Sequence, residues 1–131
     1  MSRYLHTSIF VNDMAESIAF YQKLGLELLD GPLHYPGNCD MAFVGADWNS
    51  YVELVYDLEE HPPYDIGNRY EHLAVAVEGD FAGFIEKLKG EGVKVLRGRK
   101  KSPGGTRWIA FVEDPNGVPV ELLEERAGTV T

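Results

Sequence analysis

Two histidines and two glutamates carry the chemistry open to this sequence. His6 lies at the head of an apolar run that ends at Val11, and His72 at the head of a second that ends at Val77. Glu53 stands inside Tyr51-Val-Glu-Leu-Val55, and Glu121 inside Val118-Pro-Val-Glu-Leu-Leu123. A buried carboxylate without a partner is costly and takes up a proton instead. Two carboxylates and two imidazoles that converge have a cheaper solution, a divalent metal ion bound through nitrogen and oxygen. A single strand glutamate is usually on a solvated face, and a single strand histidine is usually structural. These four are matched in pairs, with the histidines 66 residues apart and the glutamates 68. His34 and His61 lie in proline-rich stretches, have no matched partner and read as surface residues.

The pairing belongs to a wider repeat. Ile18, Tyr21 and Gly25 match Ile85, Leu88 and Gly92 at an offset of 67, and Ala42-Phe-Val44 matches Ala110-Phe-Val112 at 68. Each half reads as βαβββ. In the first, a strand over 5–11 precedes a helix capped by Asp13, with Glu16 three residues on and Gly25 at its end. Strands follow over 26–29, 41–45 and 51–56, with a loop carrying Gly31, Pro32, Pro36 and Gly37. In the second, a strand over 71–77 precedes a helix capped by Asp80, with Phe81, Phe84, Ile85 and Leu88 inward. Strands follow over 93–97, 107–113 and 118–124. Residues 57–70, with Pro62-Pro63 and Gly67, read as the linker. Asp114-Pro-Asn-Gly117 is a turn that launches the last strand. Alternation sets Val118, Val120 and Leu122 on one face of that strand and Glu121 on the other.

Composition narrows the function class. Apolar residues at 44% and a length of 131 suit one compact domain with a real core. No apolar run reaches the roughly 20 residues of a membrane helix, and the start lacks a signal-peptide core, so a cytoplasmic protein is expected. The lone Cys39 rules out an internal disulfide and a cysteine-based zinc cluster. A formal charge of −9 argues against nucleic-acid binding. Only Arg97-Gly-Arg-Lys-Lys101 is locally basic.

Several segments resemble glyoxalase I (lactoylglutathione lyase) of the vicinal oxygen chelate superfamily. They are Leu5-His-Thr7, Ser17-Ile-Ala-Phe-Tyr21, Ala42-Phe-Val-Gly45, Val52-Glu-Leu54, Glu71-His-Leu-Ala-Val75, Gly104-Gly-Thr106, Ile109 to Gly117 and Val120-Glu-Leu122. The resemblance implies an α+β fold, a single vicinal oxygen chelate domain over 1–131. Its two βαβββ modules, about 4–57 and 70–125, would form curled mixed sheets around a metal site. It implies His6, Glu53, His72 and Glu121 as metal ligands, nickel or cobalt as the favoured ion, with zinc accommodated. It implies a small-molecule substrate, the hemithioacetal of a 2-oxoaldehyde such as methylglyoxal with a thiol, glutathione in the family. This would be isomerised through an enediolate with Glu121 as base and Glu53 assisting. Arg69, Arg99 and Lys100 fall near cosubstrate-binding positions. The chain departs from glutathione-using relatives at Phe10, where they carry arginine, and at Asp57, where they carry asparagine. A homodimer is the expected assembly. The alternatives are another metalloenzyme of the superfamily acting on a different substrate, and a bleomycin-type binding protein.

Overall fold

The structure, a computed structural model, describes residues 1–125, so the last six residues of the expected domain lie outside the described residues. The chain divides into two compact units, Met1–Asp65 and Ile66–Thr131. Unit 1 runs β1 (His6–Phe10), α1 (Met14–Lys23), β2 (Glu27–Tyr35), β3 (Cys39–Asp47) and β4 (Ser50–Asp57). Its sheet has the order β1-β4-β3-β2, with β1 parallel to β4 and the other neighbours antiparallel. Unit 2 runs β5 (Leu73–Val77), α2 (Phe81–Gly90), β6 (Lys94–Lys101), β7 (Trp108–Glu113) and β8 (Pro119–Glu124). Its order, β5-β8-β7-β6, repeats the same pattern, with β5 parallel to β8. The fold is α+β, with two four-stranded mixed sheets, and the βαβββ order occurs twice.

Local chemistry explains the helices. The Asp13 side chain accepts from the Glu16 amide at 2.8 Å, and the Asp80 side chain from the Gly83 amide at 3.0 Å. Both satisfy amides that a helix start leaves unpaired. Both helices stop in the same way, with Leu26 N donating to Tyr21 O at 3.1 Å and Val93 N to Leu88 O at 3.0 Å. Helix α1 packs on β2, β3 and β4. Alternation turns Ala42, Val44 and Leu54 into the core of unit 1 with Tyr21, all fully buried. Ala110, Val112, Val120 and Leu122 do the same in unit 2 with Leu88. The opposite faces carry Phe43 paired with Glu53, and Phe111 paired with Glu121.

Two strands run four or more residues past their expected ends. β2 continues to Tyr35 through Gly31-Pro32, so His34 lies in a strand and not in a loop. Register shifts between Leu28 and Asp30 and between Asp30 and Leu33 absorb the irregular residues. Gly31 has φ +92, and a Cβ there would meet the Met41 carbonyl, so the bulge depends on glycine. β6 likewise passes Gly98 with shifts at Val95/Arg97 and Arg97/Lys100. β5 starts later than expected, so His72 immediately precedes its strand.

The Asp114-Pro-Asn-Gly117 turn is held by its first residue. Asp114 is buried, and its Oδ1 accepts from the amides of Asn116 and Val118, each at 2.8 Å. Asn116 Nδ2 donates to Oδ2 at 3.1 Å, and Gly117 supplies φ +83. Asp114→Ala leaves two amides unpaired at the start of the strand bearing Glu121. It is expected to cost about 3 kcal/mol, read as a lower urea midpoint with an unchanged slope.

Candidate metal centre

In unit 1, β1 and β4 run parallel, with His6 opposite Tyr51 and Ser8 opposite Glu53. That register brings His6 Nε2 to 2.7 Å from Glu53 Oε2. Tyr51 stacks on the imidazole at 4.8 Å between centroids and 23° between planes. Phe43 and Trp48 pack on Tyr51 in turn, at 6.0 and 5.2 Å. The histidine is therefore braced by an aromatic cluster, which fixes its ring plane. Its Nδ1 is buried and has no hydrogen-bond partner among the described residues.

In unit 2, the same topology brings His72 Nε2 to 3.6 Å from Glu121 Oε1. Phe111 meets His72 edge-on at 5.4 Å. His72 Nδ1 lies 3.0 Å from Glu71 Oε1. Each glutamate is less than one-fifth exposed. Each unit thus sets one imidazole beside one carboxylate on the face turned away from its helix.

These pairs fit a divalent cation. Metal–ligand bonds of about 2.1 Å put two donors about 3.0 Å apart at a right angle and about 3.4 Å apart at the tetrahedral angle. The two observed separations bracket those values. Imidazole nitrogen with carboxylate oxygen suits zinc, nickel or cobalt. Among the described residues no group of three or more His, Cys, Asp or Glu forms, so each unit by itself offers two donors.

β6 carries five cations, Lys94, Arg97, Arg99, Lys100 and Lys101. Arg97 lies over the Phe111 ring at 5.5 Å, one ring away from His72. Arg99 and Lys101 both lie over Trp108, at 4.3 and 4.4 Å. None of the three forms an ion pair among the described residues. The register shift past Arg97 sets Lys100 opposite Ile109, on the same face of β7 as Phe111, and Lys101 opposite Trp108, on the other. Arg69 is exposed on the segment between β4 and β5. Sequence reasoning singled out neither Arg97 nor Lys101 for these aromatic contacts. The available signal was Phe111, which repeats Phe43 and pairs with Glu121.

Charge is divided unevenly. Residues 1–65 hold eleven carboxylates against Arg3 and Lys23, so the whole formal charge of −9 resides in unit 1. An anionic group on a ligand is therefore favoured at unit 2, beside β6. At the end of β1, Phe10 stacks on Tyr64 at 5.0 Å, and His61 stacks on Tyr64 at 4.2 Å. Burial first, then the nearby Asp57 and Tyr56, push the Tyr64 phenol up from its ordinary range. His34 is exposed and pairs with Asp40 at 3.1 Å, so neither of these two histidines joins a glutamate pair.

The chain is similar to proteins of one family along nearly its whole length. The family model described as "Glyoxalase/Bleomycin resistance protein/Dioxygenase superfamily" matches residues 3–122. A lactoylglutathione lyase of Escherichia coli O157:H7 is 38% identical over 128 residues, covering 95% of this chain and 93% of the relative. A lactoylglutathione lyase of Neisseria meningitidis serogroup A is 35% identical over 130 residues, covering 96% and 93%. Among solved structures, glyoxalase I from Zea mays matches with TM-score 0.78 and 33% identity, over 97% of this chain and 46% of that one. The chain thus spans about half of the maize protein. The glyoxalase I of Leishmania major, described as trypanothione-dependent, matches with TM-score 0.75 and 30% identity, over 95% and 88%. With a family model spanning most of its length and two repeated βαβββ units, the chain belongs to the glyoxalase/bleomycin resistance protein/dioxygenase superfamily.

Proposed function

We infer that this chain is a glyoxalase I-type lyase that isomerises the hemithioacetal of a 2-oxoaldehyde, such as methylglyoxal, with a thiol. The observation that carries this reading is the duplicated pair, His6 with Glu53 and His72 with Glu121, in a chain more than a third identical to lactoylglutathione lyases. The four residues together hold one divalent metal ion, nickel or cobalt in preference to zinc, within one chain or across a cytoplasmic homodimer. When bound, the ion supplies Lewis acidity that stabilises the charge developing on the two vicinal oxygens of the substrate.

The rest is work for the protein's own groups. The substrate is a weak carbon acid, and a proton must leave one carbon and arrive at the next. A Glu121 carboxylate oxygen takes that proton from the first carbon and delivers it to the second, with Glu53 assisting the transfer. Phe43 and Phe111 flank the carboxylates and keep water from competing for the proton. Arg97 over Phe111, with Lys100 on the same face, takes a carboxylate of the thiol cosubstrate. Arg69 and Arg99 add positive charge to the same unit.

A second reading keeps the reaction and changes the thiol. It is favoured by the Phe10–Tyr64 stack beside Asp57, which offers a glutathione-sized peptide an apolar and acidic wall. One assay separates the readings. Apo-protein is loaded with nickel, cobalt or zinc, and hemithioacetal loss is followed with glutathione and then with other thiols. Turnover with glutathione upholds the first reading, and turnover only with another thiol upholds the second. Metal uptake without turnover on any thiol would sink both. Exhaustive chelation is expected to remove activity, and adding nickel back to restore it.

A further inference from the structure

The two imidazoles are not prepared in the same way. His6 Nε2 lies within hydrogen-bond distance of Glu53 Oε2, at 2.7 Å, and its Nδ1 is buried without an acceptor. The stable arrangement there puts the proton on Nε2, the atom a metal would need. Moving it to Nδ1 leaves a buried donor unsatisfied. His72 is the reverse. Its Nδ1 is 3.0 Å from Glu71 Oε1, and an ionised carboxylate only accepts, so a hydrogen bond there requires the proton on Nδ1. Its Nε2 is 3.6 Å from Glu121, too far for a hydrogen bond, so the lone pair is left uncommitted. Leu5 stands where the repeat would place a counterpart of Glu71, so unit 1 has no equivalent carboxylate.

We propose that Glu71 is a positioning residue that presets His72 in its metal-binding tautomer, so that the His72–Glu121 pair captures the ion and the His6–Glu53 pair joins second. The inference rests on the metal-centre reading above, and concerns how that centre is assembled. A carboxylate behind a metal-binding imidazole fixes its orientation and raises its basicity. Glu71 does this from an exposed position, so its replacement leaves the core intact.

The test has two readouts that do not depend on turnover. Imidazole nitrogen chemical shifts of the apo-protein are expected to show His72 protonated on Nδ1, and to show a mixture of tautomers in Glu71→Ala. Nickel affinity, measured by competition with a chelator, is expected to fall about 10–100-fold in Glu71→Ala. Glu71→Gln, whose amide oxygen still accepts from Nδ1, should recover most of it. Glu78→Ala removes the same charge from an exposed site in the same unit and should change nothing. His72→Ala should weaken affinity more than His6→Ala. The proposal is overturned by a His72 protonated on Nε2 in the wild type, by Glu71→Ala within twofold of wild type, or by His6→Ala being the more damaging. A chain that takes up no metal would instead sink the metal-centre reading, and the tautomer spectra would still decide the placement of Glu71.

Discussion

Glu121→Gln is expected to lower turnover of the hemithioacetal about 10³-fold while the fold persists. Glutamine keeps the shape of the side chain and loses its charge, so the variant has no base and a poorer metal donor at that position. The stability cost is small, because Glu121 lies on the face away from the core and its recorded contact is with His72. Thermal unfolding should shift by no more than a few degrees. Glu53→Gln, by the same chemistry, should also be impaired, and its short contact to His6 should lengthen. Near-normal turnover in Glu121→Gln would remove this residue from the mechanism.

The neighbouring residue predicts the opposite phenotype. Leu122 is fully buried on the helix face of β8, one position from Glu121. Leu122→Ala is expected to cost about 2–5 kcal/mol, through lost burial and the cavity left behind. That is a large part of the total stability of a domain this size. The molecules that remain folded should keep turnover close to wild type once loaded with metal. Urea unfolding measures the first effect and activity per folded molecule the second. A loss below about 1 kcal/mol would mean that the β8 core is looser than described. Two adjacent positions thus separate chemistry from stability, because alternation sends one side chain to each face.

Much of this was legible in the sequence. The repeat gave the βαβββ order, because helix periodicity, capping aspartates and strand alternation are local signals. The matched His–Glu pairs stood out because carboxylates inside apolar strands are costly. The lengths of β2 and β6 were not legible. Gly31-Pro32 and Gly98 look like strand breakers, and only cross-strand pairing shows that bulges carry the ladder past them. The same register shifts put Lys100 on the face of Arg97 and Phe111 and Lys101 on the other, the reverse of what alternation from Arg97 alone predicts. Glu71 carried no periodic signal, since its role depends on a side-chain contact with its neighbour. The stack of His61 and Tyr64 on Phe10 arises from the connecting segment folding back, which composition alone does not encode.

The reaction proposed for this chain is an isomerisation at a metal-dependent pair of His–Glu donors. Its most direct test is identification of the product by NMR after the nickel-loaded chain is incubated with methylglyoxal and glutathione. The expected product is the 2-hydroxyacyl thioester of glutathione, formed by the loaded protein and not by the chelated protein or by Glu121→Gln. A hemithioacetal left unchanged by fully metal-loaded protein, with glutathione and with every other thiol offered, would contradict it.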